Sequence, residues 1–275
     1  MRIDSHQHFW FYEPREYPWI QKEWNIRKDF LPHQLRPILE RHGLDGCVAV
    51  QARQSLEESR WLLEVADRAE IVRGVVGWVD LRSPEVDKQL ASFASHSKFV
   101  GVRHVVQDEP DDRFVLQERF IKGISKLERY GLTYDLLLYP KQLPASIELV
   151  RRFPDQPFVL DHISKPLISK QVLEPWKSDI QKLAEFPNVY CKISGMVTEA
   201  EWNGWKREDF HPYLDAVVEA FGPSRIMYGS DWPVCLLSAE YEAMFGIIEH
   251  YFQSFSDREK AGIFGGNAIR FYGLS

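Results

Sequence analysis

Eight short apolar runs recur along the sequence, and segments with helical spacing separate them. The runs are rich in β-branched or large apolar residues and are mostly bounded by Gly, Pro or Asn, a pattern typical of buried strands. They cover Arg2–Ser5, Gly46–Val50, Ile71–Val79, Phe99–Arg103, Thr133–Leu138, Phe158–Leu160, Val189–Ile193 and Arg225–Tyr228. Amphipathic stretches between them include Leu56–Ala69, Val115–Tyr130, Trp176–Phe186, Phe210–Phe221 and Ala239–Phe252. This alternation predicts parallel strands joined by right-handed crossovers.

Eight such units close into a (β/α)8 barrel, the TIM-barrel architecture, which forms one domain of about 250 residues. The chain has 275 residues and no low-complexity linker, so we expect one α/β barrel domain over residues 1–275. A doubly wound open sheet is the competing architecture. The barrel is favoured because no Gly-rich phosphate-binding sequence follows the first strand.

The composition excludes several classes of function. A net charge of −6 without a basic run gives no electrostatic basis for binding nucleic acid. No stretch approaches the roughly 20 apolar residues of a membrane span, and the N-terminus lacks the pattern of a signal peptide. Cys47, Cys191 and Cys235 are widely spaced and form no CxxC pair, so we expect reduced, buried thiols. These features predict a cytoplasmic protein.

Two segments are too long for simple turns and are rich in aromatic residues. Phe9–Pro32 follows the first run, and Gly195–His211 follows the seventh. Long loops after barrel strands lie on the catalytic face, so their rings are expected to cover the mouth of a pocket. The alternatives are an aromatic patch that only buries part of the mouth, or a subunit contact, which a homodimer would use.

Polar side chains stand at the ends of the apolar runs, where a barrel carries its chemistry. His6 and His8 are two residues apart and therefore point to the same side of the first strand. The later runs end, in chain order, in Gln51, Asp80, Arg103-His104, Asp135, Asp161-His162, Lys192 and Ser194, and Asp231-Trp232. Each residue alone has a structural explanation, such as a helix cap or an ion pair. Their concentration at one end of successive strands favours an active site.

This set of residues suits hydrolysis at a carbonyl carbon. His6, His8 and Asp231 can hold one divalent metal ion, with Zn²⁺ as the expected identity and a position left for water. Asp231 can accept the proton of the attacking water, while His162 hydrogen-bonds the carbonyl or protonates the leaving group. The residues expected to contact an oxygen-rich small-molecule substrate are Gln51, Arg103, His104, Lys192 and Trp232.

Six segments, in order from the first strand to the C-terminal region, together resemble one group of enzymes. They are Ile3–Trp10 (IDSHQHFW), Gly101–His104 (GVRH), Leu160–Pro166 (LDHISKP), Lys192–Gly195 (KISG), Gly229–Pro233 (GSDWP) and Gly266–Tyr272 (GNAIRFY). The resemblance is to the TIM-barrel lactonase branch of the amidohydrolase superfamily, the amidohydrolase-2 type. Its members include L-fuconolactone and L-rhamnonolactone hydrolases and 2-pyrone-4,6-dicarboxylate lactonase.

The resemblance implies that His6 and His8 are the ligands of the first strand and that Asp231 activates water. It implies one metal ion at most, because the chain offers no candidate for a carboxylated lysine, and some lactonases of this branch work without a metal. The leading hypothesis is a hydrolase that opens a sugar-acid lactone. A metal-dependent decarboxylase of the same superfamily and a non-catalytic ligand-binding barrel are the alternatives.

Overall fold

A computed structural model describes residues 1–275. Its sheet contains eight parallel strands in the order β1 to β8, so every strand pairs with its sequence neighbours. The strands are β1 (Ile3–Gln7), β2 (Gly46–Val50), β3 (Val72–Gly77), β4 (Phe99–Val105), β5 (Thr133–Leu137), β6 (Phe158–Leu160), β7 (Val189–Ile193) and β8 (Ile226–Tyr228). The predicted (β/α)8 barrel is confirmed.

Helices surround the strands and pack apolar faces against them. They are α1 (Pro32–Arg41), α2 (Leu56–Arg68), α3 (Val86–Ala94), α4 (Glu118–Ile124), α5 (Leu143–Arg152), α6 (Trp176–Ala184), α7 (Met196–Glu199), α8 (His211–Phe221), α9 (Tyr241–Tyr251), α10 (Asp257–Ala261) and α11 (Asn267–Tyr272). None of them combines the length and the apolar character that crossing a membrane requires.

The barrel closes where β1 meets the segment after β8. The backbone N–H of Asp231 donates to the carbonyl of His6 at 2.8 Å, and the N–H of His8 donates to the carbonyl of Trp232 at 2.7 Å. These bonds bring the two histidines of the first strand beside Asp231, although more than 220 residues separate them in sequence.

Helix α11 closes the opposite, N-terminal end of the barrel. Gly265, just before this helix, lies so close to the backbone of Met1–Ile3 that a Cβ would come within 2.4 Å of the Met1 carbonyl oxygen. From α11, the hydroxyl of Tyr272 reaches into the barrel and donates to Asp135 of β5 at 2.8 Å. The interior between α11 and the active face is apolar and includes Ile3, Val48, Val76, Val159 and Met227.

The helix expected over Val115–Tyr130 is shorter than predicted. Only Glu118–Ile124 is α-helical, with one 3₁₀ turn before it and another after it. Gln117 adopts an extended conformation and so interrupts the helix at its start. Gly131, with φ of +66°, ends the segment, since glycine enters the left-handed region without the steric penalty of a side chain.

The two long loops divide their aromatic residues between the core and the cavity. In Phe9–Pro32, Trp10 and Phe30 form an antiparallel backbone bridge, and the ring of Trp10 is fully buried. Trp19 and Trp24 of the same loop reach the cavity described below, as does Trp202 of Gly195–His211. We call these last three rings the aromatic rim; they line the cavity, as expected for rings that cover the mouth of a pocket.

Candidate active site

A cavity of about 810 Å³ opens at the C-terminal ends of the strands. Its walls come mainly from the loops after β1, β2, β4, β6, β7 and β8, which places it where (β/α)8 barrels carry their chemistry. The residues that line it include the titratable or charged His8, Arg53, Arg103, His162, Lys165, Glu199 and Asp231, together with the aromatic rim.

Three imidazoles surround one carboxylate oxygen at the base of this cavity. Oδ1 of Asp231 lies 3.2 Å from Nε2 of His8 and 3.9 Å from Nε2 of both His6 and His162. Burial alone would raise the pKa of Asp231, but the neighbouring His162 and His8 outweigh it and hold that pKa below its usual range. Asp231 is therefore an ionised carboxylate at neutral pH, as a general base must be.

The backbone that presents these groups is strained. His162, Ile163, Ser164 and Lys165 all have positive φ, between 47° and 62°, and Asp231 has φ of 59°. Left-handed backbone costs roughly 1–2 kcal/mol per residue for side chains other than glycine, and the β-branched Ile163 is a marked outlier. Such strain clusters at functional sites, and here it turns the side chains of His162 and Asp231 toward one cavity.

Two glycines allow the imidazoles to approach the neighbouring strands closely. A Cβ on Gly195 would lie 2.6 Å from Nδ1 of His162, and a Cβ on Gly229 would lie 2.6 Å from Cβ of His6. Gly195 also has φ of +64°, which disfavours any other residue. The Nδ1 atom of His162 lies 2.9 Å from the hydroxyl of Ser194, so the residue before Gly195 orients the ring.

Beneath the imidazoles lies a buried ion cluster formed by Arg103, Asp135, Asp161 and Lys192. Lys192 donates to Asp135 at 2.5 Å and lies 3.0 Å from Asp161. Arg103 contacts the other oxygen of Asp161 at 3.1 Å. Two cations face two carboxylates, so the cluster is neutral overall. The cations Lys192 and Arg103, with His6, hold the pKa of Asp161 well below its usual range although burial opposes them.

The ion cluster also fixes His6. Burial lowers the pKa of His6 well below its usual value, so the ring is neutral. Its Nδ1 lies 3.3 Å from Asp161, and its Nε2 lies 3.2 Å from Nη1 of Arg103. A neutral ring satisfies both contacts when Nδ1–H donates to the carboxylate and Nε2 accepts from the guanidinium.

His6, His8 and Asp231 fit a divalent metal ion by the chemistry of their donor atoms, which lie within 4.8 Å of one another. Nδ1 of His8 faces the carbonyl of Val50 at 2.8 Å, so Nδ1 carries the proton and the Nε2 lone pair is directed at the Asp231 carboxylate. Two acceptors 3.2 Å apart need a proton or a cation between them. An ion there would compete with Arg103 for the lone pair of His6.

The residues expected to contact substrate separate into two groups. Arg103 lines the cavity, although its guanidinium already bonds Gln51 and Asp161. Gln51, Lys192 and Trp232 are 0–2% exposed and lie behind the cavity wall.

His104 also lies outside the cavity lining. Its ring stacks on Phe114 with centroids 4.8 Å apart, and its Nε2 lies 2.7 Å from Glu109. The ring of Trp232 packs instead against Phe9 and Phe30.

Lys165 and Glu199 are charged residues of the cavity to which the sequence assigned no role. Lys165 and Glu199 face each other across 3.9 Å, and Arg53 forms an ion pair with Glu16 at the mouth. Lys165 stands in the LDHISKP segment, but only the left-handed turn brings it to the same cavity as His162. No periodic pattern in the sequence signals such a turn.

The sequence profile of the amidohydrolase family matches residues 3–274. The chain belongs to the amidohydrolase family. An L-fucono-1,5-lactonase from Burkholderia multivorans is 40% identical to it over 286 residues, which cover 100% of this chain and 96% of that protein. With lactonases among its relatives, this amidohydrolase is a hydrolase that acts on ester bonds of the lactone type.

Two solved structures place this amidohydrolase among its relatives. An amidohydrolase from B. multivorans with bound zinc is 39% identical and superposes with a TM-score of 0.96, with full coverage of both chains. A 5-carboxyvanillate decarboxylase from Sphingomonas paucimobilis shares 10% identity and a TM-score of 0.68, with 100% of this chain and 99% of that one covered. The second likeness shows the fold alone.

Proposed function

We propose that this amidohydrolase opens the lactone of a six-carbon deoxy-sugar acid, such as L-fucono-1,5-lactone, to the aldonic acid. One observation carries the proposal: an ionised carboxylate, Asp231, faces a cavity of about 810 Å³ and is surrounded by three imidazoles. The 40% identity to an L-fucono-1,5-lactonase along the whole chain supports the choice of substrate.

In the proposed reaction, Asp231 removes a proton from water as the water oxygen attacks the lactone carbonyl carbon. Nε2 of His162 faces the same carbonyl group and hydrogen-bonds its oxygen as negative charge develops there. Arg103 adds a fixed positive charge at the cavity wall, which stabilises that oxyanion at a distance. When bound at His6, His8 and Asp231, a divalent ion would supply Lewis-acid polarisation of the carbonyl.

The cavity suits a neutral sugar better than a dicarboxylate. Of the three arginines that line it, Arg53 is paired with Glu16 and Arg103 is bonded to Asp161, so only Arg15 has no carboxylate partner. A dicarboxylated ring would call for several free guanidinium groups. The aromatic rim offers flat apolar surface for the C–H face of a sugar ring.

A pH-indicator screen over aldonolactones, with and without chelator, tests the proposal. We expect acid release with 1,5-lactones of deoxy-hexonic acids and little with 2-pyrone-4,6-dicarboxylate. A parallel assay for CO₂ from aromatic acids covers the decarboxylase alternative, which release of CO₂ without lactone opening would favour. A purified protein that turns over neither class would contradict the proposal and support a non-catalytic barrel.

A further inference from the structure

Opening a lactone requires a proton for the leaving oxygen as well as a base for water. The ring oxygen leaves as an alkoxide, which is too basic to be expelled without a proton donor at neutral pH. Asp231 and His162 face the attacking water and the carbonyl oxygen, so neither is placed for this second task. The donor should be another cavity residue that can transfer a proton and whose hydrogen-bond donors are not already engaged by neighbouring groups.

Lys165 is the only lysine that lines the cavity. The arginines there, Arg15, Arg53 and Arg103, keep their protons at any physiological pH and can stabilise charge but not transfer a proton. Lys192 is fully buried, engaged by Asp135 and Asp161, and absent from the cavity wall. Among the cationic side chains, only Lys165 therefore combines access with a transferable proton.

The surroundings of Lys165 hold its ammonium in the cavity without consuming its donors. The side chain is 17% exposed, and the nearest carboxylate, that of Glu199, lies 3.9 Å away, beyond hydrogen-bond distance. The ammonium also lies 5.7 Å from the centre of the Tyr139 ring, a cation–π distance. The left-handed turn that directs His162 ends at Lys165, whose own φ is 49°, so one strained element presents both side chains.

We propose that Lys165 is a second catalytic residue, the general acid that protonates the ring oxygen of the lactone. Glu199 is its positioning residue. This inference rests on the proposed function. The water oxygen bonds to the carbonyl carbon as Asp231 takes its proton. The bond between that carbon and the ring oxygen then breaks, and the electron pair stays on the oxygen, which receives a proton from Lys165. Asp231 then releases its proton to solvent and Lys165 takes one up from solvent, so the net change is addition of one water, without oxidation or reduction.

The test compares Lys165→Met with Lys165→Arg in steady-state assays on the lactone that the wild type opens. Met removes the ammonium at similar length, whereas Arg keeps the charge and withholds the proton. We expect both variants to lower kcat by about 100-fold or more with KM changed less than about five-fold. Lys170→Met, an exposed lysine on the same loop, should match the wild type in both constants and in melting temperature.

Glu199→Gln sharpens the assignment through a double-mutant cycle. As a positioning residue, Glu199 should matter only when Lys165 is present, so we expect about a ten-fold loss of kcat alone and no further loss in the Lys165→Met background. Additive losses would mean that Glu199 acts independently of the lysine and would contradict the pairing.

The outcomes separate this proposal from the lactonase assignment. If Lys165→Arg retains kcat within about three-fold of wild type, or if Lys165→Met raises KM and leaves kcat intact, Lys165 supplies charge or binding and is not the acid. The lactonase assignment then still stands. If the wild type opens no sugar lactone, both proposals fail together.

Discussion

The buried ion cluster lies beneath the cavity and the aromatic rim stands at its mouth, and the two regions differ in burial, charge and the elements that carry them. Lys192 and Asp161 are fully buried on or directly after strands and satisfy each other's charges. Trp24 and Trp202 stand on long loops, are half-buried, and touch each other with ring centroids 5.9 Å apart. A charge that is buried away from water must be held by ion pairs and hydrogen bonds of defined geometry. An apolar surface needs no such partners and can therefore contact different ligands. We therefore expect turnover to depend on the buried ion cluster and the groups above it, and substrate choice to depend on the aromatic rim.

The largest effect should come from Asp231, which lies between the two regions. Asp231→Asn keeps the size of the side chain but cannot accept the proton of water, so we expect kcat to fall by about 1,000-fold. Circular dichroism should show an intact barrel. The exposed Asp155→Asn serves as the matched control, and native turnover by the Asp231 variant would show that the base lies elsewhere.

Breaking the buried ion cluster should affect stability as strongly as Asp231→Asn affects turnover. Lys192→Met leaves Asp135 and Asp161 without their shared cation, so we expect the free energy of unfolding to fall by about 3–5 kcal/mol. Denaturant titration followed by fluorescence measures this loss. Lys170→Met should change it by less than about 0.5 kcal/mol. A loss for Lys192→Met as small as that of the control would mean that water reaches the cluster.

Glu58 joins the loop after β2 to the long first loop, because its carboxylate accepts from the N–H groups of Ala52 and Arg53 and lies 3.4 Å from the hydroxyl of Tyr17. Burial raises the pKa of Glu58 from 4.5 to about 7. The folded state thus holds this proton more tightly, and the free energy of unfolding falls as pH rises through that interval.

Glu58→Gln removes this pH-dependent loss while keeping an acceptor for both N–H groups. The stability gain of the variant over wild type should therefore grow by about 2 kcal/mol between pH 5 and pH 8. Denaturant titrations at both pH values measure it, and the exposed Glu64→Gln should show no such growth. A gain that is equal at the two pH values would contradict the raised pKa.

The smallest effect is expected at the rim. Trp202→Ala should raise KM by about five-fold and change the free energy of unfolding by less than about 1 kcal/mol, because the ring contributes surface to the cavity and little to the core. Trp61→Ala, a half-buried tryptophan that packs on Phe11 away from the cavity, should leave KM unchanged. An equal effect of the two substitutions on KM would contradict a role of the aromatic rim in binding the substrate.

Much of the fold could be predicted because its signals are local. Runs such as Gly46–Val50 and Val189–Ile193 coincide with β2 and β7, since a buried parallel strand must be apolar on both faces. The meeting of His6, His8, His162 and Asp231 also follows from one rule, that parallel strands present their C-terminal ends together.

The pairings inside the barrel could not be predicted in the same way. Lys192 was expected at the substrate, yet its ammonium lies below the cavity between Asp135 and Asp161. How far a side chain sits along the barrel axis depends on strand stagger, which a period-two pattern does not encode. The position of Lys165 in the cavity could not be predicted, because four successive left-handed residues have no signature in composition or spacing.

The hydroxyl of Tyr272 makes the support of Asp135 depend on a residue 137 positions later in the chain. A ribosome that has made residues 1–231 has already supplied His6, Asp135, Lys192 and Asp231, but not yet the donor that Asp135 receives from α11. Until that helix is made, Asp135 has only Lys192 as a bonding partner and the N-terminal end of the barrel is uncovered. A nascent barrel would thus hold all its candidate catalytic groups before it holds the helix that completes the support of Asp135.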